Sequence, residues 1–321
     1  MHTPDFWDLD DAWSRMKVRA LSPAGMIYGA TVRWKASRAH PYRASVPVAC
    51  IGNISAGGTG KTPIAIAVGR ALIAKGRHPF FVTRGYGGEV AGPVLVAGQD
   101  ALTVGDEPLL LARVASTVVA RHREDGAKLA VQCGADVIVM DDGHQNFSLA
   151  KDLSVVVVDA VRGFGNGYVL PAGPLREPAC QGLKRADAVI LVGEGSPSLG
   201  DFSGPVLRAR LEVTGVCFAG KRVLAFAGIG RPAKFFETLR VCGAEVIESV
   251  PFADHYRYTR VDIERLAARA RDENAQLVTT EKDLVRLPGT LAAGIASLPV
   301  KAVITPAAEL EHLLDRLCAA R

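Results

Sequence analysis

The sequence predicts an α/β fold, with a mostly parallel sheet flanked by helices and a second, smaller α/β domain after it. Short apolar runs alternate with stretches of helical periodicity along most of the chain, which is the pattern of successive βαβ units. Some runs, such as residues 155–158, consist of valine alone, as expected of strands that are buried on both faces. A stretch rich in Ser, Gly and Pro over residues 193–205 marks the transition between the two domains.

Composition and length exclude several classes of protein. A chain of 321 residues with 49 % hydrophobic and 22 % charged residues can bury two ordinary cores, and its net charge of +5 is mild. The six cysteines include no C-x-x-C pair, which argues against a zinc site or a disulfide framework and for a reducing compartment. No apolar run is long enough to span a bilayer, and the first residues are acidic, which argues against a signal peptide. We therefore expect a protein that is cytoplasmic or lies on a membrane from that side.

Residues 1–46 form an N-terminal arm that differs from the rest of the chain. It holds all three tryptophans, and residues 12–46 carry seven basic residues and no acidic one. Basic residues interleaved with interfacial aromatics suit an anionic membrane surface, which is the partner we expect, rather than nucleic acid. Nucleic acid remains an alternative, because a basic stripe alone does not distinguish phosphate polymers from lipid headgroups. A third interpretation is a helical arm that packs its aromatics on the core.

The main domain is predicted over residues 47–205, followed by a connector over 206–220 and a smaller α/β domain over 221–321. In the main domain we expect strands over 46–51, 79–83, 117–120, 137–140, 154–159 and 188–192, and helices over 62–75, 107–115 and 124–133. In the smaller domain we expect strands over 223–227, 245–250, 276–280 and 300–304, and helices over 232–242, 261–271 and from 306. Functional loops follow the carboxyl ends of parallel strands, which selects the loops 52–62, 84–88, 141–147 and 160–178.

The first predicted strand and the first predicted helix are joined by a glycine-rich turn, Ser55-Ala56-Gly57-Gly58-Thr59-Gly60-Lys61-Thr62. This is how a phosphate-binding loop is built, with backbone N–H groups that contact phosphate oxygens at a helix N-terminus. Lys61 can reach the β- and γ-phosphates of a nucleotide, and the Thr62 hydroxyl is placed to ligate Mg²⁺. Ser55 stands where the general pattern G-x-x-x-x-G-K-[ST] has a glycine. The turn predicts a nucleoside triphosphate and does not name the acceptor of its phosphate.

The apolar strand over 137–140 ends in two carboxylates, Asp141 and Asp142. In a chain with a phosphate-binding loop, this is the form of a Walker B element, whose acid orients Mg²⁺ or its water shell. Two adjacent acids are otherwise ordinary in a solvated turn. We expect at least one of them to belong to a magnesium site.

Other polar residues each have a functional and an ordinary interpretation. Asp106 opens a helix, where it is either the N-cap or the general base that takes a proton from an acceptor hydroxyl. Arg84 follows a strand end and could face phosphate, and Tyr86 could stack on a sugar or base, unless both belong to a surface turn. His255 lies in a loop dense in polar groups, and a lone histidine is more often a structural hydrogen-bonder than a catalyst.

Taken together and in their order, these motifs resemble the tetraacyldisaccharide 4′-kinases, and the resemblance covers nearly the whole chain. A hydroxyl residue at the position of Ser55 is part of that family's loop, whereas Asn146 and Tyr256 stand where the family commonly has histidines. The resemblance is carried by residues 52–63, Arg84-Gly85-Tyr86-Gly87, Gly105-Asp106-Glu107-Pro108, Asp141-Asp142-Gly143-His144-Gln145, 170–178, 226–230, Asp254-His255-Tyr256 and 279–283.

The resemblance implies a kinase of lipid A assembly at the cytoplasmic face of the bacterial inner membrane. Such an enzyme moves the γ-phosphate of ATP, with Mg²⁺, to the 4′-hydroxyl of a tetraacylated glucosamine disaccharide 1-phosphate, an acylated lipid. By position, Asp106 matches the base, His255 matches the residue that orients it, and Lys61 matches the phosphate contact. Because Asp106 and His255 belong to different predicted domains, we expect these domains to close on the substrate. The candidate magnesium ligands are Thr62, Glu107, Asp141 and Asp142.

Two other functions remain open on the residues alone. One is a P-loop ATPase or GTPase switch at the membrane, of the kind that carries a signature lysine, although Ala56 stands where that lysine would be. The other is a membrane scaffold that only binds nucleotide, for which Asp106 would be dispensable. ATP turnover without lipid distinguishes a switch from a kinase, because a kinase should show little of it.

Overall fold

Two sheets organise the chain, and both form where the sequence has its buried apolar runs. The computed structural model describes residues 4–9, 11–215 and 218–319, so Cys217 and part of the predicted connector lie outside the described residues. Each strand that the apolar runs predict is present within two residues of its expected ends. In chain order the strands are β1 (Val48–Gly52), β2 (Pro79–Thr83), β3 (Val94–Leu95), β4 (Thr117–Val119), β5 (Val137–Asp141), β6 (Leu153–Asp159), β7 (Ala188–Val192), β8 (Val206–Val213), β9 (Arg222–Ala227), β10 (Glu245–Pro251), β11 (Gln276–Thr280), β12 (Ala296–Leu298) and β13 (Val300–Thr305).

Helices separate most of these strands, and several begin with a side-chain cap. Asp11 caps the first helix by accepting from the Ser14 N–H, and Thr259 and Asp262 form a capping box at the start of the eighth. The helices are α1 (Ala12–Ser37), α2 (Lys61–Ala74), α3 (Ala101–Val104), α4 (Asp106–Ala112), α5 (Arg123–Gln132), α6 (Ala179–Leu183), α7 (Pro232–Val241), α8 (Arg260–Asp272), α9 (Glu281–Leu284), α10 (Gly289–Ala292) and α11 (Ala307–Ala319).

The large sheet has the strand order β13-β8-β7-β6-β1-β5-β2-β4-β3, in which neighbours are parallel except in the pairs β13–β8 and β3–β4. Helices α2 and α11 cover one face with apolar side chains such as Ile64 and Leu314, and α5 covers the other through Ala127 and Ala130. This is the predicted mostly parallel sheet between helices. Since β6, β1 and β5 lie side by side, the loops that follow them meet at one edge of the sheet.

The second sheet is smaller and has the order β10-β9-β11-β12, with parallel neighbours throughout. Helix α7 packs Phe235 and Leu239 on one face, and α8 packs Ile263 and Leu266 on the other. These strands and their helices, residues 222–298, form what we term the second unit. The large sheet and its helices form the large unit.

The end of the chain returns to the large unit, which differs from the predicted boundary of a smaller domain over 221–321. Strand β13 pairs antiparallel with β8, with Val300 opposite Val213. Strand β8 covers much of the predicted connector, and it is itself paired with β7. Its outer edge therefore needs a partner, which β13 supplies. Helix α11 then adds Leu313 and Leu317 to the apolar face that α2 covers.

Helix α1 forms the predicted arm and rests on the loop over residues 169–178. A Cβ added at Gly25 would lie 2.7 Å from the Val169 carbonyl oxygen, so the close approach depends on glycine. The described residues contain no helix that is both long and apolar enough to cross a membrane. Large apolar side chains of α1 point away from the protein, which argues against an arm that packs its aromatics on the core. The exposed ones are Trp13, Met16, Met26, Ile27, Tyr28 and Trp34.

Candidate active site

The glycine-rich turn lies between β1 and α2 and is held in shape by the buried side chain of Asn53. The Asn53 amide donates to the Ser55 carbonyl at 2.6 Å and to Thr59 Oγ1 at 3.1 Å. Gly57 and Gly60 adopt the left-handed φ values of 108° and 84°, which suit glycine. A Cβ added at Gly57 would meet nothing within 4 Å. The turn thus has open space on one side and a helix N-terminus behind it, as an anion site requires.

The 169–178 loop braces this turn from its other side. The Ala56 N–H donates to the Pro174 carbonyl at 2.7 Å, and the Arg176 N–H donates to the Ile54 carbonyl at 2.7 Å. Ala56, one of the predicted nucleotide-binding residues, therefore uses its N–H in a bracing contact in this structure. The backbone donors left for phosphate begin at Gly57.

Asp141 and Asp142 lie at the end of β5, beside the start of α2. The Thr62 hydroxyl donates to Asp141 Oδ2 at 3.1 Å, and Lys61 Nζ lies 3.7 Å from Asp142 Oδ1. The structure therefore brings together two adjacent pairs of residues, one from each motif, that lie about 80 positions apart in the sequence.

Asp141 has the properties of a cation ligand. Its Oδ1 is buried and has no hydrogen-bond partner among the described residues. Burial, together with the negative charges of Glu107 and Asp142, raises the pKa of Asp141 to about 7. A divalent cation would offset that cost, and the oxygens of Asp141 and Thr62 suit Mg²⁺. Across the described ranges no three His, Cys, Asp or Glu side chains could hold a metal by themselves, so phosphate and water oxygens would complete the shell.

Asp142 is held by cations of the chain itself. Burial opposes its ionisation, but Lys61 and Arg176 outweigh burial and lower the pKa of Asp142. Arg176 Nη1 donates to Asp142 Oδ1 at 2.8 Å. Asp142 also has a left-handed φ of 51°, a conformation that costs free energy in residues other than glycine and that the surrounding contacts must hold. Asp142 therefore remains an ionised carboxylate in a fixed orientation.

Asp106 and His255 are in contact, although 149 positions separate them. His255 Nδ1 lies 3.1 Å from Asp106 Oδ2, and the Asp106 side chain is 4 % exposed. Asp106 is the first residue of α4 and Gly105 takes the cap position, so the N-cap interpretation of Asp106 does not hold. His255 has a left-handed φ of 57°, and its N–H donates to the Gly228 carbonyl. The backbone of the second unit thus holds the His255 ring against the carboxylate.

Two cations that sequence reasoning did not single out surround the same carboxylate. Arg286 Nε donates to Asp106 Oδ2 at 2.7 Å, and Lys282 Nζ lies 3.9 Å from that oxygen and 3.2 Å from Glu107 Oε1. Burial alone would raise the pKa of Asp106, but the hydrogen bond with His255 and the charges of Lys282 and Arg286 hold it well below its usual range. Asp106 is therefore ionised, as a residue that accepts a proton must be at the start of a reaction.

The 84–88 loop contains two of the predicted binding residues, Arg84 and Tyr86. Tyr86 packs its ring against His255, with ring centroids 5.2 Å apart, and is itself 63 % exposed. Arg84 follows β2 and is exposed. Tyr86 thus contacts the predicted catalytic histidine, a contact that the sequence interpretation of a sugar or base platform did not include.

A partly buried polar network behind the turn was also missed. Gln145 Nε2 donates to the Asn53 carbonyl at 2.8 Å and to Glu177 Oε1 at 2.9 Å, and its Oε1 accepts from Arg176 at 3.4 Å. Glu177 is buried and paired with Arg185. Gln145, Arg176 and Glu177 lie in loops at the carboxyl ends of strands, which was the available signal, but their pairing is a matter of tertiary structure.

Comparisons with known proteins point to one family. The sequence profile of the family described as tetraacyldisaccharide-1-P 4'-kinase (LpxK) matches residues 17–319. A tetraacyldisaccharide 4'-kinase of Paramagnetospirillum magneticum is 51 % identical, over 99 % of this chain and 99 % of that protein. Another from Rhodospirillum rubrum is 46 % identical, over 100 % of this chain and 99 % of that protein. The chain is also similar in structure to LpxK from Aquifex aeolicus in complex with ATP, with a TM-score of 0.77, 26 % identity, and coverage of 94 % of this chain and 99 % of that one.

Proposed function

The chain belongs to the tetraacyldisaccharide-1-P 4'-kinase family, and we propose that it transfers the γ-phosphate of ATP to the 4′-hydroxyl of a tetraacyldisaccharide 1-phosphate. The observation that carries this proposal is the contact between Asp106 and His255, because it supplies an oriented base for an acceptor hydroxyl. A scaffold that only binds nucleotide has no need of such a base, and the turn has Ala56 where a switch of the kind considered above carries its signature lysine.

The phosphate donor binds at the turn between β1 and α2. Backbone N–H groups from Gly57 to Lys61 take the phosphate oxygens, with the positive end of α2 behind them. Lys61, which lies near Asp142, places its charge on the β- and γ-phosphates. We assign Mg²⁺ to Thr62 and Asp141, with Asp142 and Glu107 in its surroundings, and when bound it neutralises the charge on the phosphate oxygens.

The chemical step starts at Asp106. Its carboxylate takes the proton of the 4′-hydroxyl while the hydroxyl oxygen forms a bond to the γ-phosphorus. The bond between that phosphorus and the β–γ bridging oxygen breaks, and ADP leaves with the electron pair. His255 holds the carboxylate in place during the transfer, and because Asp106 and His255 come from the large and second units, the site is complete only when these units are in contact.

The acceptor is a lipid, and helix α1 is suited to bring the enzyme to it. Exposed Trp13 and Trp34 lie among the basic residues of this helix, which favours the interface of an anionic membrane. Each cation near such a surface contributes about 1 kcal/mol to binding. We propose that the protein is peripheral on the cytoplasmic face of the inner membrane, with α1 as the membrane-facing arm.

Phosphate transfer from radiolabelled ATP to the disaccharide 1-phosphate acceptor in detergent micelles tests the function. The wild-type chain should yield the 4′-phosphorylated product and little phosphate in the absence of the acceptor. Asp106→Asn should lose about 10²–10⁴-fold in the rate of transfer, the range of general-base assistance. ATP hydrolysis that is equally fast with and without the lipid, and no labelled lipid, would favour the switch and reject the kinase.

A further inference from the structure

We propose that Arg286 is a positioning residue for Asp106, an inference that rests on the function proposed above. Arg286 follows α9 in the second unit, whereas Asp106 begins α4 in the large unit. The Arg286 Nε and Nη2 atoms lie 2.7 and 2.5 Å from Asp106 Oδ2. The two side chains are 7 % and 4 % exposed, so little water competes for this ion pair.

A buried carboxylate fixes the guanidinium of Arg286 from behind. Asp283 is 0 % exposed, and its Oδ1 accepts from the Gly228 N–H at 3.1 Å and from the Tyr258 hydroxyl at 2.9 Å. The same oxygen accepts from Arg286 Nη1 at 2.7 Å, and Nη1 also donates to the Gly228 carbonyl at 2.7 Å. The core of the second unit therefore determines the direction of the guanidinium, whose Nε donates to Asp106.

Arg286 and His255 both engage the same oxygen of Asp106, Oδ2. In the described part of the chain, Oδ1 accepts one hydrogen bond, from the Glu107 N–H at 2.9 Å. A carboxylate oxygen can accept two or more hydrogen bonds, so Oδ1 retains the capacity to accept from the acceptor hydroxyl. Oδ2 is the clamped oxygen, and Oδ1 is the oxygen that takes the proton.

We term the contacts of Arg286 and His255 with Asp106 Oδ2 the clamp. The clamp affects the rate of transfer by orienting the Asp106 carboxylate. A misplacement of about 1 Å in a reacting group costs about 10²-fold in rate. Without Arg286, the imidazole of His255 is the main hydrogen-bond partner left on Oδ2, and the carboxylate gains freedom to rotate. A lysine at this position restores the charge, but it cannot bridge Asp106 and Asp283 with a planar fork.

The test compares phosphate transfer and the KM for ATP in Arg286→Ala, Arg286→Lys, Asp106→Asn and the double variant Asp106→Asn with Arg286→Ala. We expect Arg286→Ala to lower kcat by about 10²-fold with an unchanged KM for ATP, and Arg286→Lys to recover part of the loss. In the Asp106→Asn background, Arg286→Ala should cost less than about 2-fold more, because both changes remove the same oriented base. An equal loss in both backgrounds, or a raised KM for ATP with unchanged kcat, would overturn the proposal.

Arg231 offers a matched control. It also belongs to the second unit and pairs with a carboxylate of the large unit, Asp159. Arg231→Ala should therefore weaken contact between the units while leaving every side chain around Asp106 in place, and its effect on kcat should depend on Asp106 much less than that of Arg286→Ala. A dependence on Asp106 as strong as that of Arg286→Ala would show that any lost contact between the units produces the effect, and would count against the clamp.

Thermal unfolding of the same variants gives a readout that needs no acceptor. Non-additive shifts in melting temperature between Asp106→Asn and Arg286→Ala would support the clamp. They would do so even if the wild-type chain transferred no phosphate, because that result would defeat only the proposed function. Additive shifts would defeat the clamp itself. If Arg286→Ala does not fold, Arg286→Lys takes its place in both cycles.

Discussion

Helix α1 is seated on the 169–178 loop through two glycines one turn apart, and replacing each with alanine should have opposite effects. At Gly25 an added Cβ would lie 2.7 Å from the Val169 carbonyl oxygen, which is a backbone atom. At Gly29 the nearest atom would be a side-chain carbon of Pro178 at 3.5 Å, an ordinary contact. Gly29→Ala is therefore the matched control for Gly25→Ala.

The structure sets the expected magnitudes. The methyl group of Gly25→Ala falls about 0.7 Å short of the 3.4 Å at which ordinary contact begins, so the helix or the loop must move. Overpacking of this kind costs about 1–3 kcal/mol of folding free energy, whereas alanine in place of glycine inside a helix stabilises by about 1 kcal/mol. We expect Gly25→Ala to lose about 0–2 kcal/mol of folding free energy and Gly29→Ala to gain up to about 1 kcal/mol.

Urea unfolding and the KM for ATP measure both consequences. Because the 169–178 loop donates and accepts at Ile54 and Ala56 of the phosphate-binding turn, a displaced loop should also raise the KM for ATP in Gly25→Ala and leave it unchanged in Gly29→Ala. The reasoning is refuted if Gly25→Ala is as stable as Gly29→Ala, because the close approach would then cost nothing.

Three further predictions concern the site, the core and the membrane. Lys61→Ala should reduce the single-turnover rate of transfer at saturating ATP at least as much as Asp106→Ala. Positioning and charge neutralisation can lower the activation barrier by about 7–11 kcal/mol, whereas a general base lowers it by about 3–5 kcal/mol. A near wild-type rate for Lys61→Ala would contradict this prediction. Burial and the charges of Lys151 and Arg185 lower the pKa of His144 to about 3, so below pH 6.5 the unfolded chain binds a proton that the folded chain excludes. The free energy of unfolding, measured in EDTA, should fall by up to about 1.4 kcal/mol per pH unit as the pH drops from 6.5 toward 4, and His144→Gln should remove that part of the slope. The wild-type chain should float with anionic vesicles, and a variant with Trp13→Ala and Trp34→Ala should not. Equal flotation of both proteins would reject α1 as the membrane arm.

Local patterns predicted much of the fold and part of the site. The strands around the glycine-rich turn follow from uninterrupted apolar runs, and the turn follows from its spacing, because both are determined by neighbouring residues. Asp141 and Asp142 could be placed beside Lys61 because parallel strands deliver their loops to one edge.

Contacts between distant parts of the chain could not be predicted in the same way. Strand β13 was assigned to the smaller domain because its partner, β8, precedes it by the length of the whole second unit. Arg286 and Lys282 lie on α9 or just after it, and nothing in that helix indicates a carboxylate 180 or 175 positions away. Pairing of charges across two units leaves no periodicity in a sequence, so these residues become visible only in the folded chain.

The antiparallel pair of β8 and β13 also determines when the large sheet can be completed during synthesis of the chain. Residues 222–298 are synthesised between these two strands, so the large sheet receives its last strand and the covering helix α11 only after the second unit has left the ribosome. Until then the apolar face that Leu313 and Leu317 cover remains exposed to solvent, and an incomplete chain presents an unpaired edge at β8. The second unit, which supplies His255 and Arg286, is thus fully synthesised before the large unit can be completed.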